Sequence, residues 1–306
     1  MQKVVNSVLV TDPTFPSYNL GNVYHHSYGL LFPAVHYIQQ LGLTDQSIVS
    51  REEYLNTFTT EFLSLLGLKI NAIYSPDEPT PPEHKNLIIL PRWDYHLLAL
   101  SSSKYQPEFY AKFVAGFIPR FPNIRLFAEL ENDQTSIEIP LQEALTSLRD
   151  QVISSLDLEK DNLYQDKILL IDRSPVSTSI HRSEFFKWRG YGKHSRNIMN
   201  MDEIEEELKK HGVPVIRFTP GIESVFTQIQ AFASCSGVIS LRGAELMHTL
   251  WMKKRSKLVV IETRDIMEGC SYNKIMSEWF DHDYNEIEIR QGRFIHLNPI
   301  DVLKFF

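Results

Sequence analysis

The chain is poor in cysteine, with only Cys235 and Cys270 among 306 residues. That excludes a disulfide framework, and two lone thiols at this spacing do not make a zinc site. Cys235 lies in an apolar helical stretch and reads as a small buried hydrophobe. Long apolar runs are also missing: no window approaches the ~18–20 residues that cross a bilayer. The opening MQKVVNSVLVTDP is not a secretory signal, because its apolar stretch is short and broken by Asn6, Ser7 and Asp12. The expectation is therefore a cytoplasmic protein with no membrane anchor. Basic side chains are in the minority, 31 against 38 acidic, for a net charge of -7. That weighs against broad nucleic-acid binding but leaves room for a local basic pocket. There is no internal repeat and no low-complexity segment.

What is present is a globular composition and a length that favours two domains. In the first half, Val4–Val10, Leu68–Tyr74 and Asn86–Pro91 read as strands. Tyr24–Leu41 reads as a helix with Pro33 inside it, a place to start or kink. Glu52–Leu66 is an amphipathic helix closed by Gly67, and Gln106–Phe117 and Pro140–Leu156 look helical. The second half alternates regularly. Strands are expected at Lys167–Ile171, Val213–Phe218, Gly237–Leu241 and Lys257–Glu262. Helices are expected at Asp202–His211, Glu223–Ser234, Gly243–Met252 and Tyr272–Phe280. This is the pattern of βαβ units on a parallel sheet, an α/β fold whose strand ends share one ligand-binding edge. The boundary falls in the polar segment around Leu158–Gln165, giving domains 1–160 and 161–306, with the last helix, Pro299–Phe306, able to cross back.

The segment GVISLRGAELMHTLWM, residues 237–252, carries the most chemistry. A strand runs into Arg242, Gly243 and Ala244, and a helix follows at once. Gly243 and Ala244 allow close approach to the backbone, the free amides up to Glu245 face an anion, and Arg242 adds a phosphate-matched fork. Arg173, after KILLI, and Arg196, in KHSRNIMN, fall on the same edge. Three converging arginines suit a diphosphate; three separate surface arginines would fit composition equally. Glu262 ends its strand where a carboxylate can accept from ribose hydroxyls.

In order and spacing, the run from KILLIDRS through HSRNIMN and ESVFTQIQAFASCSGVISLRGAELMHTLWM to LVVIE resembles glycosyltransferase family 61. The matching positions are Arg173, the Arg196-Asn197-Ile198-Met199-Asn200 element, Ser224 and Gln228 before an apolar helix, the Gly243-Ala244-Leu246-His248 turn, and Ile261-Glu262. In the first half, GNVYHHSYGLLFP is similar to the family's histidine-bearing helix, with His26 as the best fit and His25 beside it. Leu30 stands where an acidic residue is common, and Arg242 where the family usually has histidine. The resemblance implies a GT-B-like fold, two facing Rossmann-like domains with parallel sheets and an interdomain cleft. The C-terminal domain would bind the nucleotide sugar and the N-terminal one the acceptor. It further implies a UDP-sugar donor, inversion at the anomeric carbon, no metal or other cofactor, and a glycan or glycoprotein-oligosaccharide acceptor. Xylose is the first choice of sugar.

An inverting transfer needs a base opposite the leaving diphosphate, hence in the first domain. The candidates are His26, His25, Asp94, in LPRWDYH, and Asp12; Asp94 and His26 rank equal and lead, with Asp12 third. His25, Trp93 and Tyr95 are placed against the acceptor. Asp281-His282-Asp283 follows a helix and reads as a solvated loop, not a cation site. The remaining histidines, among them His84, His181 and His194, lack helical metal-site spacing. Two alternatives belong to other classes. One is a nucleotide-sugar-binding protein without turnover. The other is a dinucleotide-dependent epimerase, against which the missing N-terminal G-x-G-x-x-G counts.

Overall fold

A computed structural model describes residues 7–11, 23–43, 46–49, 55–74, 86–90, 92–108, 111, 135–158, 162–173, 196–263, 272–289 and 294–306. Asp12, His84, His181, His194 and Cys270 lie outside the described residues, as does most of the helix expected at 106–117. The chain divides into two compact units, one of Met1–Leu156 with Gly269–Ile275, the other of Asp157–Glu268 with Met276–Phe306.

The first unit holds β1 (Ser7–Thr11), α1 (Val23–His26), a π turn (Ser27–Leu31), α2 (Phe32–Leu41), β2 (Gln46–Val49) and α3 (Asn56–Leu65). It continues with β3 (Ile73–Tyr74), β4 (Asn86–Leu90), α4 (Trp93–Tyr105) and α5 (Thr135–Ser155). The strands form a parallel sheet in the order β3-β2-β1-β4. The expected helix over 24–41 is present, and Pro33 explains its irregularity. Proline has no N–H to donate and its ring crowds the carbonyl four residues back. The chain widens by one residue there, with the Phe32 N–H reaching Ser27 O. The strand expected over 68–74 pairs only at Ile73–Tyr74. Helix α4 was not foreseen, because LPRWDYH lacks a helical apolar stripe; burial on several sides, from Trp93 to Ser102, holds it instead.

The second unit is closer to expectation. It contains β5 (Ile168–Ile171), β6 (Asn197–Ile198), α6 (Met201–Lys210), β7 (Val215–Phe218), α7 (Val225–Ser234) and β8 (Gly237–Leu241). A 3-10 helix (Ala244–Trp251), β9 (Lys257–Thr263), α8 (Tyr272–Phe280), β10 (Asp283–Ile289), β11 (Phe294–Ile295) and α9 (Pro299–Leu303) follow. Five parallel strands run in the order β10-β9-β8-β5-β7. Ile168, Leu170, Ile239, Leu241, Val259 and Ile261 make one core with Met201, Ile204 and Leu208 of α6 and with Val302 of α9. The terminal helix thus packs within its own unit, and it is the head of α8 that groups with the first. Asp283 opens β10 and pairs with Lys257 at 3.3 Å, while Asp281 sits in a left-handed turn (φ 57°). The segment is therefore a solvated turn, as expected, that leads into a strand at Asp283.

Candidate functional site

Two clusters of charged side chains sit at strand carboxyl ends, one per unit. Each lies where the sheet order reverses: between β5 and β8 in the second unit, between β1 and β4 in the first. Crossovers leave such a point in opposite directions, and ligands of open parallel sheets settle in the gap above it.

In the second unit Arg173 follows β5 and Arg242 follows β8, so the two flank the reversal. Arg242 Nη1 meets Glu262 Oε1 at 2.9 Å, and Arg173 Nε meets Glu245 Oε1 at 3.3 Å. Arg196, just before β6, makes no hydrogen bond or ion pair among the described residues. Burial, then the nearby charges of Arg173 and Arg242, push its pKa down to about 10 against the opposing pull of Glu245 and Glu262. Three guanidiniums thus share two carboxylates. Arg173 Nη1 and Glu245 Oε2 are buried and find no hydrogen-bond partner among the described residues. Burial raises the Glu262 pKa, with Arg242 opposing and Glu286 adding to the rise.

The turn after β8 is tighter than expected. Ala244–Trp251 forms a 3-10 helix where an α-helix was predicted. The Glu245 side chain folds back over Gly243, where a Cβ would stand 2.4 Å from Glu245 Oε2. A carboxylate therefore occupies the space above the Gly243 backbone that the sequence reserves for a phosphate. Ala244 opens the 3-10 turn beside it, and Asn197 is half-buried in β6, next to Arg196.

Other expected donor contacts are engaged elsewhere. Ser224 caps α7, accepting from Thr227 N at 3.1 Å, and Gln228 Nε2 donates to Glu223 O at 2.9 Å. Leu246 is core. His248 is buried beside Phe232, its Nδ1 accepts from Trp251 Nε1 at 3.3 Å, and burial lowers its pKa to about 3. Apolar packing or local backbone demand engages the side chains of Ser224, Gln228 and His248.

In the first unit, Arg92 and Asp94 follow β4. Arg92 Nε donates to Asp94 Oδ1 at 2.8 Å and Arg92 Nη2 to Asp94 Oδ2 at 2.6 Å. The Arg92 guanidinium also lies 4.5 Å from the Tyr95 ring centre. Burial alone would raise the Asp94 pKa; Arg92, helped by His25, overrides it and holds it at about 2. Asp94 is thus a buried carboxylate in the first turn of α4, just past the end of β4, already engaged by Arg92 and His25. His26 is fully buried, bonded through Nε2 to Thr59 Oγ1 at 2.7 Å, and lowered by burial to about 3. Trp93, packed against His36, and Tyr95, beneath Arg92, are core rings and present no open face to a sugar. His25 alone of this set keeps exposure, 24% of its side chain, and its Nδ1 lies 2.8 Å from Asp94 Oδ2. Sequence reading missed Arg92, although its position two residues before Asp94 at a strand end was a usable signal. It also missed Gly29, whose added Cβ would meet Arg92 Nε at 2.7 Å and Asp94 Oδ1 at 2.9 Å.

Among the described residues, no three or more His, Cys, Asp or Glu side chains gather as a metal site, and no helix is long and apolar enough to cross a membrane. The family model for Glycosyltransferase 61 matches residues 56–259. No curated protein matches the chain. Among solved structures the chain is similar to a glycosyl transferase family 9 protein from Veillonella parvula DSM 2008. That likeness has 9% identity over 99% of this chain and 97% of that one, with a TM-score of 0.36, too loose to bear on the site.

Proposed function

Because the chain belongs to glycosyltransferase family 61, we propose that its glycosyl transfer draws on a nucleoside diphosphate sugar held at the β5/β8 reversal. The sugar's diphosphate would lie among Arg173, Arg196 and Arg242. The observation that carries this reading is the incomplete charge balance there, with Arg196 unpaired among the described residues and Arg173 Nη1 lacking an acceptor. An oxyanion supplies what both lack. Charge-assisted contacts from a fixed guanidinium fork are strong and directional. Glu262, which already holds Arg242, is our candidate for the ribose hydroxyls.

Transfer then runs as a displacement. The acceptor hydroxyl oxygen bonds to the anomeric carbon as the carbon–phosphate oxygen bond breaks, inverting the centre. The departing electron pair stays on the diphosphate, and the arginines stabilise that growing charge in a site already arranged for it. They do the neutralising that a divalent cation does elsewhere, so we expect turnover in chelator. UDP is the expected nucleotide, xylose the first sugar to try, and a glycan the acceptor. A GT-B arrangement, with the first unit serving the acceptor and the second the donor, completes the proposal.

The test is calorimetry with UDP and UDP-xylose, with and without chelator. Arg196→Ala should weaken UDP by about thirtyfold or more, the cost of removing one charged partner (~2 kcal/mol). Binding that is unchanged in Arg196→Ala and in Arg242→Ala sinks the site. A protein that binds the donor but neither hydrolyses nor transfers it favours the non-catalytic alternative.

A further inference from the structure

We propose that His25 is the catalytic base, and that Asp94, Arg92 and Gly29 exist in their present geometry to position it. The inference rests on the transfer reading above and deepens it.

Start with the pair of adjacent histidines. They sit on one short helix, yet the fold treats them oppositely. His26 points inward and is closed off by Thr59. His25 remains partly open and bonds through Nδ1 to Asp94. An ionised carboxylate can only accept a hydrogen bond, so Nδ1 must carry the proton of the neutral ring. That leaves Nε2 with a bare lone pair, and no hydrogen bond to it forms among the described residues. A neutral imidazole with one nitrogen tied back and the other open is a base ready to receive a proton.

Arg92 explains why Asp94 stays an acceptor. Its fork covers both carboxylate oxygens, and the oxygen that takes Arg92 Nη2 is the same one that takes His25 Nδ1. Asp94 therefore orients the ring without taking the proton itself. Among the described residues, Tyr95 on α4 and Tyr24 on its own turn lie near His25, at ring separations of 6.5 and 5.1 Å. Tyr24 is stacked in turn on Tyr272 at 4.1 Å, which fixes the near side of the ring.

Gly29 gives the arrangement its room. It lies in the π turn one helical turn beyond His25, and a methyl group there would overlap both Arg92 and Asp94. The buried ion pair, the widened helix and the absent side chain form one unit. All of it sits at the β1/β4 reversal, the ligand-binding point of this sheet. In the step itself, the acceptor O–H proton passes to His25 Nε2 as its oxygen bonds to the anomeric carbon and the diphosphate leaves with its bonding pair.

The experiment uses the full chain with UDP-xylose and a panel of UDP-, GDP- and CMP-sugars, water serving as acceptor and released nucleotide as the readout. His25→Gln should lower kcat by about 10²- to 10⁴-fold, the usual worth of a positioned base, with the Kd for UDP unchanged. Gly29→Ala keeps every reacting group but displaces the Arg92–Asp94 pair, and should cost about 10²-fold in kcat. Nitrogen NMR of the wild-type His25 ring should show Nδ1 protonated and Nε2 bare. A His25→Gln variant as fast as wild type, or a ring carrying its proton on Nε2, overturns the assignment. A wild-type chain that binds no UDP and leaves every donor intact removes the transfer reading first, and this proposal with it.

Discussion

The two charged clusters occupy equivalent places in their sheets and solve opposite problems. In the first unit one guanidinium meets one carboxylate through two hydrogen bonds, both groups out of water, with a histidine as third member. Arg92 Nη1, though buried, has no hydrogen-bond partner among the described residues. In the second, three guanidiniums share two carboxylates, and buried polar atoms of Arg173 and Glu245 lack partners among the described residues. The same topological point thus carries a doubly hydrogen-bonded ion pair in one unit and an excess of guanidiniums in the other, and the residues decide which.

Acid sharpens the contrast most. Each unit contains a fully buried neutral histidine, His26 and His248, lowered from 6.5 to about 3 by burial. The unfolded chain binds those protons first, so the associated stability is present above about pH 6.5 and is lost as pH falls toward 3. That loss is at most about 5 kcal/mol for each histidine. The carboxylates then differ in sign. Asp94 is lowered from 3.8 to about 2, so its contribution also disappears as pH falls through that window. Glu262 is raised, so protonating it in acid favours the folded form. The first unit should therefore unfold before the second on acidification, as followed by hydrogen exchange on each. Simultaneous loss of both, or the second unit opening first, breaks the comparison.

Next in size is Asp94→Asn. It leaves Arg92 buried beside a neutral amide and should cost about 3–5 kcal/mol in urea unfolding. The double variant Arg92→Met/Asp94→Leu should recover much of that, since well-packed apolar side chains often replace a buried pair at little cost. If Asp94→Asn is as stable as wild type, the two side chains are not coupled as described. Arg196→Ala is the matching change in the second unit. With no partner to orphan and two like charges nearby, it should leave stability unchanged or raise it by up to about 1 kcal/mol.

The second unit was legible because its strands are short apolar runs punctuated by helices with clear ends. KILLI, GVISL and KLVVIE appear within a residue or two of their predicted bounds. Arg173 and Arg242 come together because residues just past a strand fall on a common edge, whereas Arg196, just before β6, joins them from outside that rule. What failed depends on distant partners. Whether His25 or His26 faces the carboxylate is decided by Thr59 and Asp94, 33 and 69 residues away. Helix α4 lacks a periodic stripe, so no window of sequence announces it. Ser224 and Gln228 matched by spacing, yet Ser224 accepts from a helix-start amide and Gln228 donates to the Glu223 carbonyl, and that local use is invisible in a motif. The β6–β11 pairing joins two-residue strands about a hundred positions apart, too short for any pattern to reveal.

The carboxylate lying where a phosphate is proposed carries a modest effect of its own. Glu245 rests over Gly243 and against Arg173, so a diphosphate entering there must move it. Its negative charge opposes the incoming anion at close range, while its contact with Arg173 is a single long one at 3.3 Å. Glu245→Gln keeps the shape and removes the charge. UDP should then bind more tightly, by about tenfold, which corresponds to ~1.4 kcal/mol. The gain should largely persist as salt rises, because a mostly buried charge is screened little. The matching neutral change at Glu262 should do the reverse, since it frees Arg242 from the partner that holds its fork in place. Calorimetry on the two variants separates a displaceable stand-in from a structural brace. Weaker UDP binding in Glu245→Gln would instead show that this carboxylate helps to hold the nucleotide.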